Sequence, residues 1–238
     1  LASLEGEVVV DRLPIFLDEA SDQGFPDPED YDEEGLVAVG GRLTPELLLE
    51  AYANGIFPWY GEGYVPMWWS PDPRANFDPD NLHVSRSLAK TLRRNDFRLS
   101  WNNCFERVMR ACGEERDGGT WIIPEMLEAY TKLHRMGHAH SLEVWFGNEL
   151  VGGAYGVQVG GLFAAESMFH RRSDMSKVAV IAMVRSLFRE GICLIDVQFR
   201  TDHLASLGVQ QCSRRAYLER LTTVRDMIVD LTDLVPSV

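Results

Sequence analysis

The sequence lacks the patterns that hold metals, disulfides or nucleotides. Its four cysteines stand singly without a CxxC pair, which argues against a zinc site and a disulfide framework, so we expect reduced, mostly buried thiols. No GxGxxG, GxxxxGK[ST] or GxSxG motif occurs. His134 and His138 have the i, i+4 spacing of a helical metal pair, but Gly137 weakens the helix and the segment is not HExxH. We therefore expect no metal site.

Long apolar runs are missing too. No stretch approaches the roughly 20 apolar residues that cross a bilayer. The N-terminal segment combines apolar residues with acids and lacks the cationic start of a signal peptide. With 45% hydrophobic residues, the chain can bury one substantial core, or a main domain with a smaller companion. The sequence predicts a globular protein located in the cytoplasm.

Basic residues are scarce, and the formal net charge is −13. Such a charge is unfavourable for nucleic-acid binding, because Lys and Arg must neutralise phosphates. The negative charge is concentrated in residues 1–34. This segment contains twelve Asp or Glu and one Arg, so its net charge is −11, and the remainder of the chain carries −2. We interpret residues 1–34 as a solvated, extended acidic lead-in. Whole-chain charge therefore does not exclude a nucleic-acid partner.

Residues 35–72 are interpreted as a small N-terminal domain with one helix and an aromatic loop. Thr44 is suited to cap the helix, Pro45 to its first position and Gly55 to its end. Four prolines between positions 58 and 73 then forbid a regular helix. The rings on this loop either cap the core or form a wall that stacks on a base or lines a pocket. They are Phe57, Trp59, Tyr60, Tyr64, Trp68 and Trp69.

A short helix over residues 85–94 concentrates basic side chains. Arg86, Lys90, Arg93 and Arg94 fall at i, i+4, i+7 and i+8, which is one face of a helix. This face is either solvated surface or a contact for a phosphate backbone. Arg171, Arg172 and Lys177 form a second cationic group that could extend it.

Residues 73–238 carry the pattern of an α/β (α+β) catalytic domain. Strands over 142–146, 150–159 and 162–169 predict an antiparallel meander. A helix from 173 or 174 to 189 follows, then a strand over 192–199, a helical turn over 202–207, a strand over 209–212 and a helix over 214–232. This order is expected of an acetyltransferase-like (GNAT) mixed sheet, whose V-shaped cleft brings an activated acyl donor to an amine.

Three polar side chains interrupt the apolar strands of this domain. Asp196 and Gln198 are two residues apart, so a strand would place both on one face. Glu166 is a lone acid in another apolar strand. Burying an unpaired polar group costs a few kcal/mol, so these groups have either structural hydrogen-bond partners or a chemical task.

A series of longer motifs then points to one family. The segments are GLVAVGGRLT (35–44), AY (51–52) with GIFPW (55–59), WWSPDPR (68–74), HVSRS (83–87), GTWI (119–122), HAHS (138–141), ESMF (166–169), LIDVQ (194–198) and DHLASLG (202–208). In this order they resemble the signatures of leucyl/phenylalanyl-tRNA–protein transferases. Ala165, where the family usually has Gly, and the acidic lead-in depart from that pattern.

The resemblance implies a reaction. Leu or Phe, and less well Met, would pass from aminoacyl-tRNA to the α-amine of proteins with N-terminal Arg or Lys, marking them for N-end rule degradation. Because the aminoacyl ester is already activated, no cofactor is chemically required.

The resemblance also implies site residues. Asp196 and Gln198 would form the catalytic pair, and Glu166 would hold the terminal adenosine or the aminoacyl end. A neutral amide is too weakly basic to hold a proton, so we expect Gln198 to align the amine and Asp196 to polarise it. The aminoacyl-tRNA donor end would be surrounded by Tyr52, Trp59 and Trp121. An apolar pocket would be lined by Phe163 and Met168.

Two alternatives remain. An acyl-CoA-dependent N-acetyltransferase shares the fold class, but residues 171–174 are a poor pyrophosphate-binding turn. A non-catalytic tRNA-binding module would use only the basic helix and the tryptophan loop.

Overall fold

The computed structural model describes residues 12–18, 24–94, 96–114 and 120–238. It has the predicted mixed α/β architecture, with helices packed on two sheets. The smaller sheet contains β1 (Ile15–Leu17), β2 (Leu36–Gly40), β3 (Phe57–Pro58) and β4 (Met67–Trp69). Its order is β1-β2-β4-β3, with β1 and β2 parallel and the other neighbours antiparallel.

Helix α1 (Pro45–Ala53) confirms the predicted capping. The Thr44 hydroxyl accepts the backbone N–H of Leu47 at 3.2 Å, and Gly55 follows the helix with a φ of 74°. In the aromatic loop that follows, the rings differ in burial. Trp68 is completely buried in the core, whereas Trp59 is 45% exposed.

The larger sheet has seven strands: β5 (Arg74–Phe77), β6 (Arg98–Trp101), β7 (Ala139–Phe146), β8 (Glu149–Val159), β9 (Leu162–His170), β10 (Leu194–Gln198) and β11 (Gln210–Cys212). Their order in the sheet is β11-β5-β10-β9-β8-β7-β6. The predicted antiparallel meander is confirmed as β7, β8 and β9, although β7 begins three residues earlier than expected.

Strands β9 and β10 run parallel but pair only at their beginnings. The register extends from Leu194 opposite Leu162 to Asp196 opposite Ala164. Beyond these residues β9 stays paired with β8, and β10 stays paired with β5. The two strands therefore separate after Ala164 and Asp196, and the cleft predicted for an acetyltransferase-like sheet opens between them.

The helices after α1 are α2 (Arg86–Arg94), α3 (Phe105–Glu114), α4 (Pro124–Arg135), α5 (Met175–Arg189), α6 (Asp202–Ala205) and α7 (Arg214–Val224). Helices cover both faces of the larger sheet and create apolar cores. One core joins the sheet to α1, α3 and α4, a second lies beneath α5, and a smaller one lies beneath α7.

The prediction that the last helix reaches residue 232 is wrong, because α7 ends at Val224. The carbonyls beyond that point bond to the sheet domain and not to a continuing helix. Val229 O accepts the Gln158 amide at 2.8 Å, and Leu231 O accepts the Trp101 indole N–H at 2.9 Å. These tertiary hydrogen bonds hold the C-terminal segment against the protein.

In the described parts of residues 1–34 the acidic side chains are exposed, as expected of a solvated segment, but the segment also packs against the rest of the protein. Leu17 and Tyr31 are buried, and the guanidinium of Arg214 is enclosed by this segment. It donates to Tyr31 O at 2.5 Å, Asp32 O at 2.9 Å and a Glu29 carboxylate oxygen at 3.2 Å. A buried guanidinium requires several acceptors, so the acidic segment folds around it. Residues 1–11 and 19–23 lie outside the described residues.

Within the described ranges, no helix is both long and apolar enough to span a membrane. All four cysteines are free thiols, as expected, but only Cys112 is buried. The domain limits at 34 and 72 stay a prediction.

Candidate active site

The cleft between β9 and β10 contains two adjoining cavities. The deeper one, of about 60 Å³, is mainly apolar, and it lies between the two strands and α5. The outer one, of about 310 Å³, opens between Trp59 and Trp121. Glu166, Met168 and Gln198 line both cavities, so polar and apolar groups meet where the strands part.

Asp196 is completely buried beneath this junction. Its two carboxylate oxygens accept hydrogen bonds from Arg74 at 2.8 and 2.7 Å. The Tyr217 hydroxyl donates to one of them at 3.3 Å, and the backbone N–H of Gln198 donates to the other at 2.9 Å. Asp196 is not among the residues that line either cavity, and its carboxylate holds Arg74, Tyr217 and the backbone N–H of Gln198 together.

Arg74 completes this buried ion pair. Its guanidinium lies between the rings of Phe57 and Tyr217, at 4.9 and 4.5 Å from their centres, and it donates to Gly55 O at 2.9 Å. Although burial alone would lower the pKa of Arg74, the Asp196 carboxylate raises it, so the charge is retained. Arg74 joins the segment after α1 to the end of β10. Sequence reasoning quoted it within a motif but gave it no role.

Gln198 ends the regular strand. Its φ of 58° is left-handed, and the register with β5 shifts between Asp196 and Gln198. The prediction that both side chains share one face is therefore wrong, because strand alternation stops at Gln198. In the amide orientation that satisfies its neighbours, Gln198 donates to Ala165 O at 3.1 Å and Val197 O at 3.0 Å. The amide thus bridges the separating strands and keeps its oxygen as an acceptor.

Glu166 is connected to a buried pair of tyrosines. Tyr52, predicted near the donor end, donates to Glu166 at 2.8 Å, and its hydroxyl lies 2.5 Å from that of Tyr130. Burial raises the pKa of Glu166 to about 8, against the lowering effect of Tyr52, and the Asp196 charge adds to the rise. Tyr130, on the buried side of α4, was missed.

Some of the remaining predicted site residues line a cavity, and one does not. Trp59, Trp121 and Met168 line the outer cavity. Phe163 is completely buried and lines neither cavity, because it precedes the separation and still pairs with Ile195. Residues that sequence reasoning did not assign to a site also line the deep cavity: Phe77, Ala154, Val180, Met183, Val184 and Leu204.

The basic helix α2 presents Arg86, Lys90, Arg93 and Arg94 to solvent, with Leu88 buried on its other side. The second cationic group is partly neutralised by surface ion pairs. Arg171 lies 3.1 Å from Glu114 and Arg172 lies 3.9 Å from Asp96.

In the part of the chain that the structure describes, no group of three or more His, Cys, Asp or Glu could hold a metal ion. His134 stacks on Phe105 with ring centres 4.5 Å apart, and its Nδ1 lies 2.8 Å from Ala139 O.

Comparisons with known proteins agree with this geometry. Residues 77–222 match the family described as leucyl/phenylalanyl-tRNA protein transferase, and residues 41–72 match the N-terminal domain of the same family. A leucyl/phenylalanyl-tRNA–protein transferase from an Anaeromyxobacter species is 53% identical over 205 residues, which are 85% of this chain and 87% of that protein. One from Chromobacterium violaceum is 52% identical over 189 residues, which are 79% and 81% of the two chains.

Among solved structures, a GCN5-related N-acetyltransferase from Kribbella flavida aligns with a TM-score of 0.40 and 13% identity, covering 71% of this chain and 61% of that one. The family matches and the close relatives span most of the sequence. The chain therefore belongs to the leucyl/phenylalanyl-tRNA protein transferase family, a family of aminoacyltransferases.

Proposed function

We propose that this chain transfers Leu or Phe, and less well Met, from aminoacyl-tRNA to the α-amine of proteins that begin with Arg or Lys. The modified proteins would be marked for N-end rule degradation. The observation that carries the proposal is the small apolar cavity directly beside Gln198 and Glu166. Its apolar lining suits an aliphatic or aromatic side chain, and the ester carbonyl of that aminoacyl group would then lie near the polar groups Gln198 and Glu166. Such a pocket discriminates by only about 1–3 kcal/mol per methylene, so some transfer of Met is expected.

The reaction needs orientation more than activation. The amine nitrogen attacks the ester carbonyl, the carbon–oxygen bond to the ribose breaks, and the amine proton passes to the ribose oxygen through a ribose hydroxyl or water. An α-amine with a pKa of roughly 7.7–8.0 has an appreciable neutral fraction near neutral pH. No cofactor is chemically required, because the ester already carries the activation. Alignment of the two substrates can lower the barrier by several kcal/mol.

Gln198 is assigned the alignment of the amine. Its amide nitrogen is used by the carbonyls of Ala165 and Val197, so its oxygen is the group left to accept an N–H from the amine. Asp196 was expected to polarise the amine directly. Its burial and its pairing with Arg74 instead favour a positioning role, in which it holds the backbone N–H of Gln198.

Glu166, with Tyr52 behind it, is assigned to the terminal ribose or the aminoacyl group, and Trp59 and Trp121 to the donor end. The exposed basic face of α2 is assigned to the tRNA backbone. A cytoplasmic location and a division of the chain near residue 72 belong to the same proposal.

The experiment uses purified protein, labelled Leu-tRNA and a peptide beginning with Arg, and is repeated with labelled acetyl-CoA. We expect label in the peptide only with Leu-tRNA, and little with a peptide beginning with Glu. Transfer from acetyl-CoA would favour the N-acetyltransferase, and tRNA binding without transfer would favour the binding module. The acetyl-CoA alternative is weakened by Asp174, which places a carboxylate at the start of α5, where a pyrophosphate would bind.

A further inference from the structure

Two arginines pack against one indole at an edge of the larger sheet. The guanidinium carbons of Arg98 and Arg107 lie 5.0 and 5.5 Å from the ring centre of Trp145. Arg98 is directly opposite Trp145 in the pairing of the edge strand β6 with β7, and Arg107 approaches the ring from α3. Trp145 is only 8% exposed, whereas both arginines are exposed. The indole therefore holds two cations at the protein surface.

These two charges lack an acidic counterpart in the part of the chain that the structure describes. Neither Arg98 nor Arg107 forms an ion pair with a described carboxylate, whereas Arg110 on the same helix pairs with Glu106 at 2.7 Å. Glu143 of β7 is completely buried, and its carboxylate already accepts hydrogen bonds from two serine hydroxyls and two backbone N–H groups. The two guanidiniums share one ring, so they lie within roughly a Debye length, about 10 Å, and repel each other. A bound anion would relieve this repulsion.

The arginine pair continues the basic face of α2 away from the cleft. The backbone N–H of His83, just before α2, donates to Leu207 O at 2.9 Å, so α2 begins beside the segment that carries the cleft residue Leu204. At the other end of α2, Arg94 is followed four residues later by Arg98. Strand β6 lies three strands beyond β9, which is about 14 Å at 4.8 Å per strand. Because four residues span at most about 14 Å, one extended ligand can contact both α2 and the pair.

A nucleic-acid backbone is the anion that fits this arrangement. Guanidinium groups bind phosphate oxygens through two N–H groups at once, and they do so while stacked on an aromatic ring. A tRNA carries one phosphate per nucleotide, so a single molecule presents negative charge to the whole length of α2 and to the pair beyond it. An acidic protein would have to match both basic clusters with separately placed carboxylates.

We infer that Arg98 and Arg107 form a phosphate-binding site for a part of the tRNA distant from its aminoacyl end, and that Trp145 holds the two guanidiniums in position. The inference rests on the proposed function, which supplies the tRNA and assigns the basic face of α2 to its backbone. The site contributes affinity for the whole tRNA. It contributes none for the aminoacyl-adenosine that occupies the cleft.

The test compares the full chain with the double variant Arg98→Gln and Arg107→Gln. The donors are full-length Leu-tRNA and Leu esterified to adenosine. Each phosphate contact contributes about 0.7–0.9 to the slope of log affinity against log salt, so we expect the slope for tRNA to fall by about 1.4–1.8. The advantage of wild type should then shrink about 10-fold between about 50 and 200 mM salt. We expect kcat/KM for Leu-adenosine to stay unchanged.

Two further variants separate charge from packing. Arg110→Gln, whose charge is already paired with Glu106, is the matched control and should keep the wild-type slope. Arg98→Lys with Arg107→Lys loses the planar guanidiniums but keeps both charges, so it should also keep most of the slope.

Three results would overturn the inference: an unchanged slope in the Gln variant, equal losses with both donors, or a Lys variant that loses as much slope as the Gln variant. An unchanged tRNA slope together with weaker binding of polyglutamate would assign the pair to an acidic protein instead. All of these results leave the proposed function standing, because wild-type transfer from Leu-tRNA to the Arg peptide is measured in the same assay. If the wild-type protein transfers no Leu, both proposals fail.

Discussion

Replacing Arg74 with Met tests how the buried ion pair supports the site. Met fills much of the same space but leaves the Asp196 carboxylate completely buried without the two hydrogen bonds of 2.8 and 2.7 Å. The Tyr217 hydroxyl and the Gln198 N–H remain as its only described partners. We therefore expect a lower free energy of unfolding and a displacement of Gln198.

The expected loss is large. Removing one partner of a buried ion pair costs about 3–5 kcal/mol of unfolding free energy. For a chain of this size each kcal/mol lowers Tm by roughly 2–4 °C, so we expect Arg74→Met to melt about 6–20 °C lower than wild type. Urea unfolding and thermal melting followed by circular dichroism measure the two quantities.

The double variant Arg74→Met with Asp196→Asn separates the effect of the unpaired Asp196 charge from the effect on the position of Gln198. The asparagine side chain is neutral, which removes the unpaired charge, and its amide oxygen can still accept the Gln198 N–H. We expect the double variant to recover most of the stability and a measurable part of the Leu transfer. The reasoning is refuted if Arg74→Met costs less than about 1 kcal/mol, or if the double variant is no more stable than the single one.

Three further predictions concern the two cavities and the basic helix. Glu166 binds its proton more tightly in the folded chain, with a pKa of about 8 against 4.5, so its contribution to stability falls as pH rises through that window. Glu166→Gln should flatten this part of the stability curve in urea unfolding, and an unchanged slope contradicts the assignment. Val184→Phe fills the deep cavity, so kcat/KM for Leu-tRNA should drop about 10-fold or more while binding of uncharged tRNA is kept; overpacking also costs about 1–3 kcal/mol of stability. Arg86→Gln with Arg93→Gln should reduce the slope of log affinity for tRNA against log salt by about 1.5–2, whereas Arg110→Gln should leave it unchanged.

Much of the fold could be predicted from local patterns. The Thr44 cap, the meander and the helix before β10 each depend on residues close together in sequence, and the structure confirms all three. The acidic segment and the end of α7 could not be predicted in this way. Their shape depends on distant partners, such as Arg214 for Tyr31 and Gln158 for Val229.

The same distinction applies to the site. Asp196, Gln198 and Glu166 stood out because each is polar in an apolar strand. The structure brings Gln198 and Glu166 to one cleft, and Asp196 lies buried beneath it, bonded to the backbone N–H of Gln198. Arg74 lies 122 residues from Asp196 along the chain, so nothing local indicated their pairing. The left-handed backbone of Gln198 was equally hidden, because glutamine carries no signal for a positive φ.

The central claim is that Gln198 aligns the amine for attack on the aminoacyl ester, and a single-turnover measurement of Leu transfer with Gln198→Ala tests it most directly. With Leu-tRNA and an Arg peptide both saturating, we expect the rate to fall about 100-fold or more, as for loss of one positioned hydrogen-bonding group, while Kd for Leu-tRNA stays unchanged. Gln210→Ala, at an exposed position of β11, serves as the control and should transfer Leu like wild type. A Gln198→Ala rate close to wild type, or a loss explained entirely by weaker tRNA binding, would contradict the account.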